Sequence, residues 1–302
     1  MIEINPRGKM VQKALLISAY ELKGCKETAQ SLLAELEDLV ETLGVPISDR
    51  MMVPMREIHA KYLLGTGKAD EITSRIQAEG IDALIFDNEL TPSQQRNWEA
   101  LTTVAVLDRQ EVILDIFAQR AQTHEARLQI ELARLEYALP RLTRAWGHLV
   151  RQGGGIGAKG EGESQLEQDK RRIRVAIGRL KVELEKVRSA RSTQRKDRKR
   201  APVPNAAIVG YTNAGKSSLL RRLTGADVLI EDKLFATLDP TTRHFTLPNN
   251  QKLLLTDTVG FVRKLPHALV EAFKSTLEEA VLADFIIHVL DISSPYVDEH
   301  WK

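Results

Sequence analysis

The pattern of apolar positions along the chain changes period twice. Short apolar stretches, KALLISAY (13–20), ALIFD (83–87) and VAVLD (104–108), alternate with runs in which apolar residues recur every three or four positions, the first from Cys25 to Leu43. That alternation predicts βαβ units around a mostly parallel sheet, because strands covered on both faces read as continuous apolar runs. A small α/β domain is expected over residues 1–120. From Leu128 the spacing changes: Leu128, Leu132, Leu135, Leu139 and Leu142 follow one another at 4, 3, 4 and 3 residues, and the same spacing returns at Ile173, Ile177, Leu180, Leu184 and Val187. Two short heptad stretches joined by a flexible link predict an antiparallel, coiled-coil-like helical hairpin over 121–200, each arm burying its seam on the other. Packing of these leucines on a neighbouring domain is compatible with the same pattern. Pro140 should kink or end the first arm. Beyond 200, AAIVG, SSLLRRLTG, KLLLTD, a helix around Leu269 to Val281 and DFIIHVLD predict a second α/β unit over 201–302.

Composition restricts the picture further. A chain of 302 residues, 43% of them hydrophobic, is long enough for more than one core, so wholesale disorder is excluded. The single cysteine, Cys25, excludes an internal disulfide. The leading MIEINPRGKMVQ has no apolar core of a signal peptide, and no apolar run approaches the roughly 18–20 residues of a membrane span. A cytoplasmic, monomeric protein is the expectation. Net charge is only +2, but its distribution is uneven: from Lys170 to Arg200 there are fourteen Lys or Arg against Glu183, Glu185 and Asp197. A charge run is often just a solvated helix face. Beside a polar, glycine-rich tip it suggests an arm that faces nucleic acid, with RKDRKRAP as the linker that follows.

Three glycine-containing loops compete for the role of phosphate cradle. GYTNAGKS fits G-x-x-x-x-G-K-[ST] through Gly210, Gly215, Lys216 and Ser217, with a strand before it and a helix after it. That context aims backbone N–H groups and a helix N-terminus at the β-phosphate, sends the Lys216 ammonium to the β and γ oxygens, and offers the Ser217 hydroxyl to Mg²⁺. LGTGKADE fails because Ala69 follows Lys68 and no glycine stands five residues before Gly67. The run RQGGGIGAKGEGESQLEQ lacks both a Lys-Ser pair and a preceding strand, and reads as the hairpin turn. Forty residues after Ser217, an apolar strand ends in Asp257-Thr258-Val259-Gly260, a D-x-x-G whose aspartate suits the Mg²⁺ shell and whose glycine N–H can sense the γ-phosphate. Between them lies FATLDPTTR, in which Thr237 would complete the Mg²⁺ shell.

These residues resemble the HflX family of GTPases. GTGKADEI, ALIFDNELTPSQQRN, the stretch from VLDRQEVILDIFAQR to YALPRL, GGGIGAKGEGESQLEQDKRRIR, GYTNAGKSS, FATLDPTTR and DTVGF all carry the likeness, which extends over nearly the whole chain. The resemblance implies a GTPase that binds GTP and GDP, associates with the large ribosomal subunit and its RNA, and splits or rescues stalled ribosomes. It implies nucleotide contacts at Gly210, Tyr211, Thr212, Asn213, Ala214, Gly215, Lys216, Ser217 and Ser218, at Phe235, Ala236, Thr237, Leu238 and Asp239, and at Asp257, Thr258, Val259 and Gly260. Lys216, Thr237 and Gly260 would serve hydrolysis, while Ser217, Thr237 and Asp257 would serve Mg²⁺. Asn213 is the position from which related loops coordinate K⁺. RNA contacts are expected from Gly153, Gly154, Gly155, Gly157, Lys159 and Gly160 at the tip and from Lys170, Arg171, Arg172 and Arg174 on the second arm. No N-K-x-D guanine-reading motif occurs after the P-loop, so the G domain is expected to be partial and the choice of GTP over ATP rests on the resemblance. On the residues alone, an RNA-directed P-loop ATPase and a catalytically silent RNA-binding fragment remain alternatives.

Overall fold

A computed structural model describes residues 11–23, 25–142, 159–198, 203–225, 233–265 and 280–301; for 159–165, 188, 190–198 and 300 only the backbone is described. The chain divides into two compact units, the first ending at Gln119 and the second beginning at Arg120.

The first unit is an α/β layer structure. Its elements are β1 (Ala14–Glu21), α1 (Lys26–Thr42), β2 (Ile47–Met55), α2 (Thr66–Glu79), β3 (Ala83–Phe86), α3 (Pro92–Thr102), β4 (Ala105–Asp108) and α4 (Arg109–Arg120). The strands form one parallel sheet in the order β2-β1-β3-β4. Strands β3 and β4 are buried along their whole length, which is why ALIF and AVLD carry no polar alternation until their last residue. Strand β2 was not anticipated. As the edge strand it alternates half-exposed and exposed positions over Ile47–Arg50, buries Val53 in the core, and tolerates Pro54 because one side of an edge needs no N–H donor. The core runs through Leu15, Ile17, Leu84, Phe86 and Val106 and is closed by Trp98, whose indole N–H donates to the Tyr62 carbonyl at 2.8 Å. Helix α3 starts on a capping box, Thr91 and Gln94 each accepting from the other's backbone, with Pro92 in the first turn.

The deepest charged group in this unit is Arg109, 2% exposed at the start of α4. Its guanidinium pairs with Glu35 of α1 and with Asp87, the latter at 2.8 Å. All three charges are buried, so each depends on the others for its solvation.

The second unit opens with α5 (His124–Ala138), which ends in a 3₁₀ turn at Leu139–Arg141 containing Pro140, as the proline demanded. A 40-residue helix, α6 (Lys159–Arg198), follows the residues that are not described. The two helices share a seam in which Leu128, Leu180 and Leu184 are buried and Leu132, Leu135 and Val187 are half-buried. Lys181 pairs with Glu136 at 2.8 Å beside it. Two expectations need correction here. Lys159 and Gly160, placed at the tip of the hairpin by the sequence, lie in the helix, as does Gly162. The stretch expected to be a linker is helical as far as Arg198. A glycine in a helix costs only about 1 kcal/mol, which a long helix with good neighbours absorbs. Gly153, Gly154, Gly155 and Gly157 lie outside the described residues.

The rest of the unit is a second four-stranded sheet in the order β6-β7-β5-β8, built from β5 (Asn205–Gly210), β6 (Thr241–Thr246), β7 (Lys252–Asp257) and β8 (Phe285–Val289), with α7 (Lys216–Thr224) and the short α8 (Val297–Trp301). Strands β7 and β8 run parallel to β5 on either side of it, while β6 is antiparallel to β7. The expected helix around Leu269 to Val281 falls almost wholly outside the described residues. Strand β6 was not anticipated. Its TTRHFT has one apolar residue, Phe245, and is exposed or half-exposed throughout, so it presents no apolar run.

Candidate nucleotide-binding site

The parallel pairing of β5 with β7, in which Ile208 lies opposite Asp257, brings the loop after β5 and the turn after β7 to the same sheet end. Ligands of open α/β sheets bind at the carboxyl ends of the strands, where loops converge. The chain leaves β5 at Gly210, whose φ of +153° and contact with Val289 exclude a side chain: a Cβ there would lie 2.3 Å from the Val289 carbonyl oxygen. It then curls through Tyr211 to Gly215 and enters α7 at Lys216. The D-x-x-G turn after β7, with Phe261 behind it, is laid directly on this loop. The Thr212 N–H donates to the Phe261 carbonyl at 2.8 Å and the Phe261 N–H to the Gly210 carbonyl at 3.0 Å, a short parallel bridge that seats Gly260 against Thr212. The fit is tight enough that a Cβ on Gly260 would stand 2.4 Å from Thr212 Cα and 2.8 Å from Lys216 Nζ.

Three oxygen donors meet at the mouth of α7. The Ser217 hydroxyl donates to Asp257 Oδ2 at 2.5 Å and lies 2.8 Å from the Thr237 hydroxyl. The other oxygen of Asp257, Oδ1, is buried without a hydrogen-bond partner. Burial raises the Asp257 pKa, opposed by the Ser217 hydrogen bond and the nearby Lys216 charge. Two hydroxyls and a carboxylate with a spare buried oxygen suit a hard divalent cation that completes its shell with phosphate oxygens and water, as Mg²⁺ does. Lys216 is itself buried, and its ammonium donates to the Tyr211 carbonyl at 2.6 Å. Burial lowers its pKa to about 8, with Asp257 pulling the other way.

The cavity bounded by these groups has a volume of about 60 Å³. Ligand pockets usually start near 300 Å³, so this cavity is of the size of a phosphate group rather than of a whole nucleotide. Of the residues expected from the sequence, Thr212, Asn213, Gly215, Lys216, Ser217, Ser218, Phe235, Ala236, Thr237, Thr258 and Gly260 line this cavity. Lys233 lines it too, and nothing in its sequence context marked it. Gly210, Tyr211, Ala214, Leu238, Asp257 and Val259 form the frame around it: the Tyr211 hydroxyl accepts the Arg263 N–H at 3.0 Å, and Leu238 and Val259 are buried. Asp239 has a different partner from the one expected. Its carboxylate accepts the N–H groups of Gln122 and Thr123 just ahead of α5.

On α6, Arg171, Arg172 and Arg174 are exposed. Arg172 pairs with Asp169 at 3.2 Å and Lys170 with Glu167 at 3.0 Å, so part of the basic charge is matched along the same helix. Arg171, Arg172 and Arg179 border a groove of about 620 Å³ whose floor includes Val175, Ala176 and Leu180. No helix among the described residues is long and apolar enough to cross a membrane.

A phosphate loop between β5 and α7, a D-x-x-G turn after β7 and a threonine-bearing segment over both define a P-loop nucleoside triphosphatase of the switch type. Comparison with known proteins narrows the class. Three family models match in series: GTP-binding GTPase N-terminal over residues 30–118, GTP-binding GTPase Middle Region over 120–198 and 50S ribosome-binding GTPase over 205–302. GTPase HflX of Akkermansia muciniphila is 54% identical over all of this chain and 71% of its own length. GTPase HflX of Escherichia coli is 47% identical over 89% of this chain and 63% of its own. Among solved structures, an SsGBP complex with GDP matches with 31% identity and a TM-score of 0.52, covering 93% of this chain and 72% of that one. A GTP-binding protein of Sulfolobus solfataricus, also with GDP, matches at 29% identity and a TM-score of 0.50 over 96% and 74%. The chain belongs to the HflX family of GTPases, and is a GTP-binding P-loop protein that hydrolyses GTP.

Proposed function

We propose that this protein uses its GTPase cycle to engage the large ribosomal subunit through its helical arm, and that it splits or rescues stalled ribosomes in the GTP state. The observation that carries this reading is the union, in one unit, of a phosphate loop under two switch segments and a long basic helix. The description of the matched GTPase model as 50S ribosome-binding supports it. Lys and Arg on α6 neutralise RNA phosphates and release counterions, which gives affinity without sequence reading. The glycine-rich run from Gly153 to Gly157 would bring small residues to folded RNA, with Lys159 and Gly160 at the start of α6 behind it.

In the hydrolytic step the Lys216 ammonium and the loop N–H groups between Asn213 and Ser217 stabilise negative charge on the β- and γ-phosphates. The Gly260 N–H reports the γ-phosphate to switch II. Mg²⁺, held by Ser217, Thr237 and Asp257, supplies further charge neutralisation when bound. The residue after Gly260 is Phe261, which has no group to orient the attacking water. The intrinsic rate is therefore slow, and the ribosomal partner completes the site. Asn213, which lines the cavity, is assigned to K⁺; exchanging KCl for NaCl at constant ionic strength should slow turnover, and an unchanged rate removes that role.

Co-sedimentation with large ribosomal subunits tests the main reading. Binding should be stronger with a non-hydrolysable GTP analogue than with GDP, and should weaken when Arg171, Arg172 and Arg174 are replaced by glutamate. Binding indifferent to both changes would refute it. Splitting is read separately, as subunits released from stalled ribosomes by the wild type and not by Lys216→Ala.

A further inference from the structure

Asp239 lies two residues beyond Thr237, on the segment that covers the phosphate loop, but its carboxylate reaches away from the cavity. Oδ2 accepts the backbone N–H groups of Gln122 at 2.9 Å and Thr123 at 3.1 Å, and Oδ1 accepts the Thr123 hydroxyl at 2.5 Å. Thr123 is the N-cap of α5, and its hydroxyl oxygen also accepts the Ala126 N–H at 3.2 Å. The N-terminus of a helix has unsatisfied N–H groups and a partial positive charge, so a carboxylate there is both acceptor and counter-charge. The other end of the covering segment is fastened by the Phe235 N–H, which donates to the Thr212 hydroxyl at 2.9 Å. Between these two anchors Thr237 faces Ser217.

From this geometry we infer that Asp239 is a positioning residue: by clasping the root of α5 it holds Thr237 against Ser217, and so links the nucleotide at the phosphate loop to the helical arm. The inference rests on the assignment of Thr237 to the nucleotide-bound cation. With a triphosphate bound, Thr237 is kept at Ser217 and the clasp closes. Loss of the γ-phosphate releases Thr237, and with it Asp239 and the first turn of α5. The arm receives the change because α5 shares its apolar seam with α6. The linkage is reciprocal, so a load on the arm that straightens or bends the root of α5 alters affinity for GTP by the same factor. The clasp is accessible to water, which competes for each bond, so its effect is about tenfold rather than all or none.

The test uses the full chain with Asp239→Ala, Thr123→Ala and the double variant. Single-turnover hydrolysis of GTP and titrations with GDP and a GTP analogue are measured together with amide hydrogen exchange. Asp239→Ala should slow hydrolysis about tenfold and weaken the analogue relative to GDP, leaving GDP affinity unchanged, because GDP needs no closed Thr237. The double variant should be no worse than Asp239→Ala, since both changes break one contact. In wild type the analogue should slow exchange of the amides of residues 122–126, and in Asp239→Ala it should not. Additive losses, an unchanged analogue-to-GDP ratio, or amides at 122–126 blind to the analogue would each overturn the clasp as a link. Exchange with the analogue bound separates this inference from the nucleotide reading: unprotected Gln122 and Thr123 amides in analogue-bound wild type remove the clasp itself, whereas failure of Lys216→Ala to impair nucleotide binding removes the site reading.

Discussion

Replacing Gly260 by alanine puts the fit between switch II and the phosphate loop to a quantitative test. The added Cβ would stand 2.4 Å from Thr212 Cα, and ordinary van der Waals contact begins near 3.4 Å, so the backbone at 260 has to retreat by about 1 Å. Thr212 cannot yield instead, because its N–H and hydroxyl are tied to Phe261 and Phe235. The Lys216 ammonium, 2.8 Å from the same Cβ, is displaced as well, although a flexible side chain moves cheaply. For a group proposed to contact the γ-phosphate, a displacement of about 1 Å costs on the order of a hundredfold in rate. GDP makes no use of that contact, so its affinity should stay within about a factor of three of wild type while discrimination in favour of GTP is lost. Single-turnover hydrolysis, with parallel fluorescence titrations of GDP and a GTP analogue, measures both quantities. A thermal melt of the variant establishes that the sheet is intact. Hydrolysis within about twofold of wild type would refute the reasoning, because it would mean that the close packing of Gly260 on Thr212 does not set the position of the γ-phosphate sensor.

Three further outcomes are expected. Lys216 has a pKa of about 8, below its ordinary 10.5, so the folded chain binds fewer protons than the unfolded one between those values and folding gains stability as pH rises through that window. Phosphate prefers the charged amine, so nucleotide binding above pH 8 should weaken by up to about tenfold per unit and take up a proton; calorimetry at pH 8.5 in two buffers of different ionisation enthalpy should give different heats, and equal heats would exclude it. Arg109→Leu removes the buried guanidinium that Glu35 and Asp87 share and should cost about 3–5 kcal/mol in chemical denaturation of the first unit, a loss under 1 kcal/mol being the contrary result. Leu184→Ala opens the small seam between α5 and α6 and should lower the stability of the arm by about 2–3 kcal/mol, read as faster amide exchange in α5; unchanged exchange would show that the seam does not hold the arm.

The loop after β5 was legible because its signal is local: a run of nine residues fixes the turn, the helix start and the hydroxyl at its mouth at once. The same holds for strands β3 and β4, whose burial on both faces leaves an unbroken apolar signature. What could not be read depends on partners far along the chain. Asp239 and Thr123 are 116 positions apart, and each taken alone is an ordinary turn or cap residue. Glu35, Asp87 and Arg109 look like surface charges until the sheet brings them together. Edge strands β2 and β6 break the apolar signature with consecutive polar residues, Ser48-Asp49-Arg50 in β2 and all but Phe245 in β6. Gly160 misled for the opposite reason. A rule about single residues, that glycine favours turns, was applied where a long helix outweighs it.

The length of α6 has a mechanical consequence. At 1.5 Å per residue, its 40 residues make a rod about 60 Å long. Tilting such a rod by 5° moves its far end about 5 Å, as far as one turn of helix advances along its axis. Strand β5, which feeds the phosphate loop, begins only seven residues after the rod ends at Arg198. If the proposed cycle tilts this rod at its phosphate-loop end, a rotation of a few degrees there becomes a displacement of several ångströms at the far end, as in a lever with one short arm.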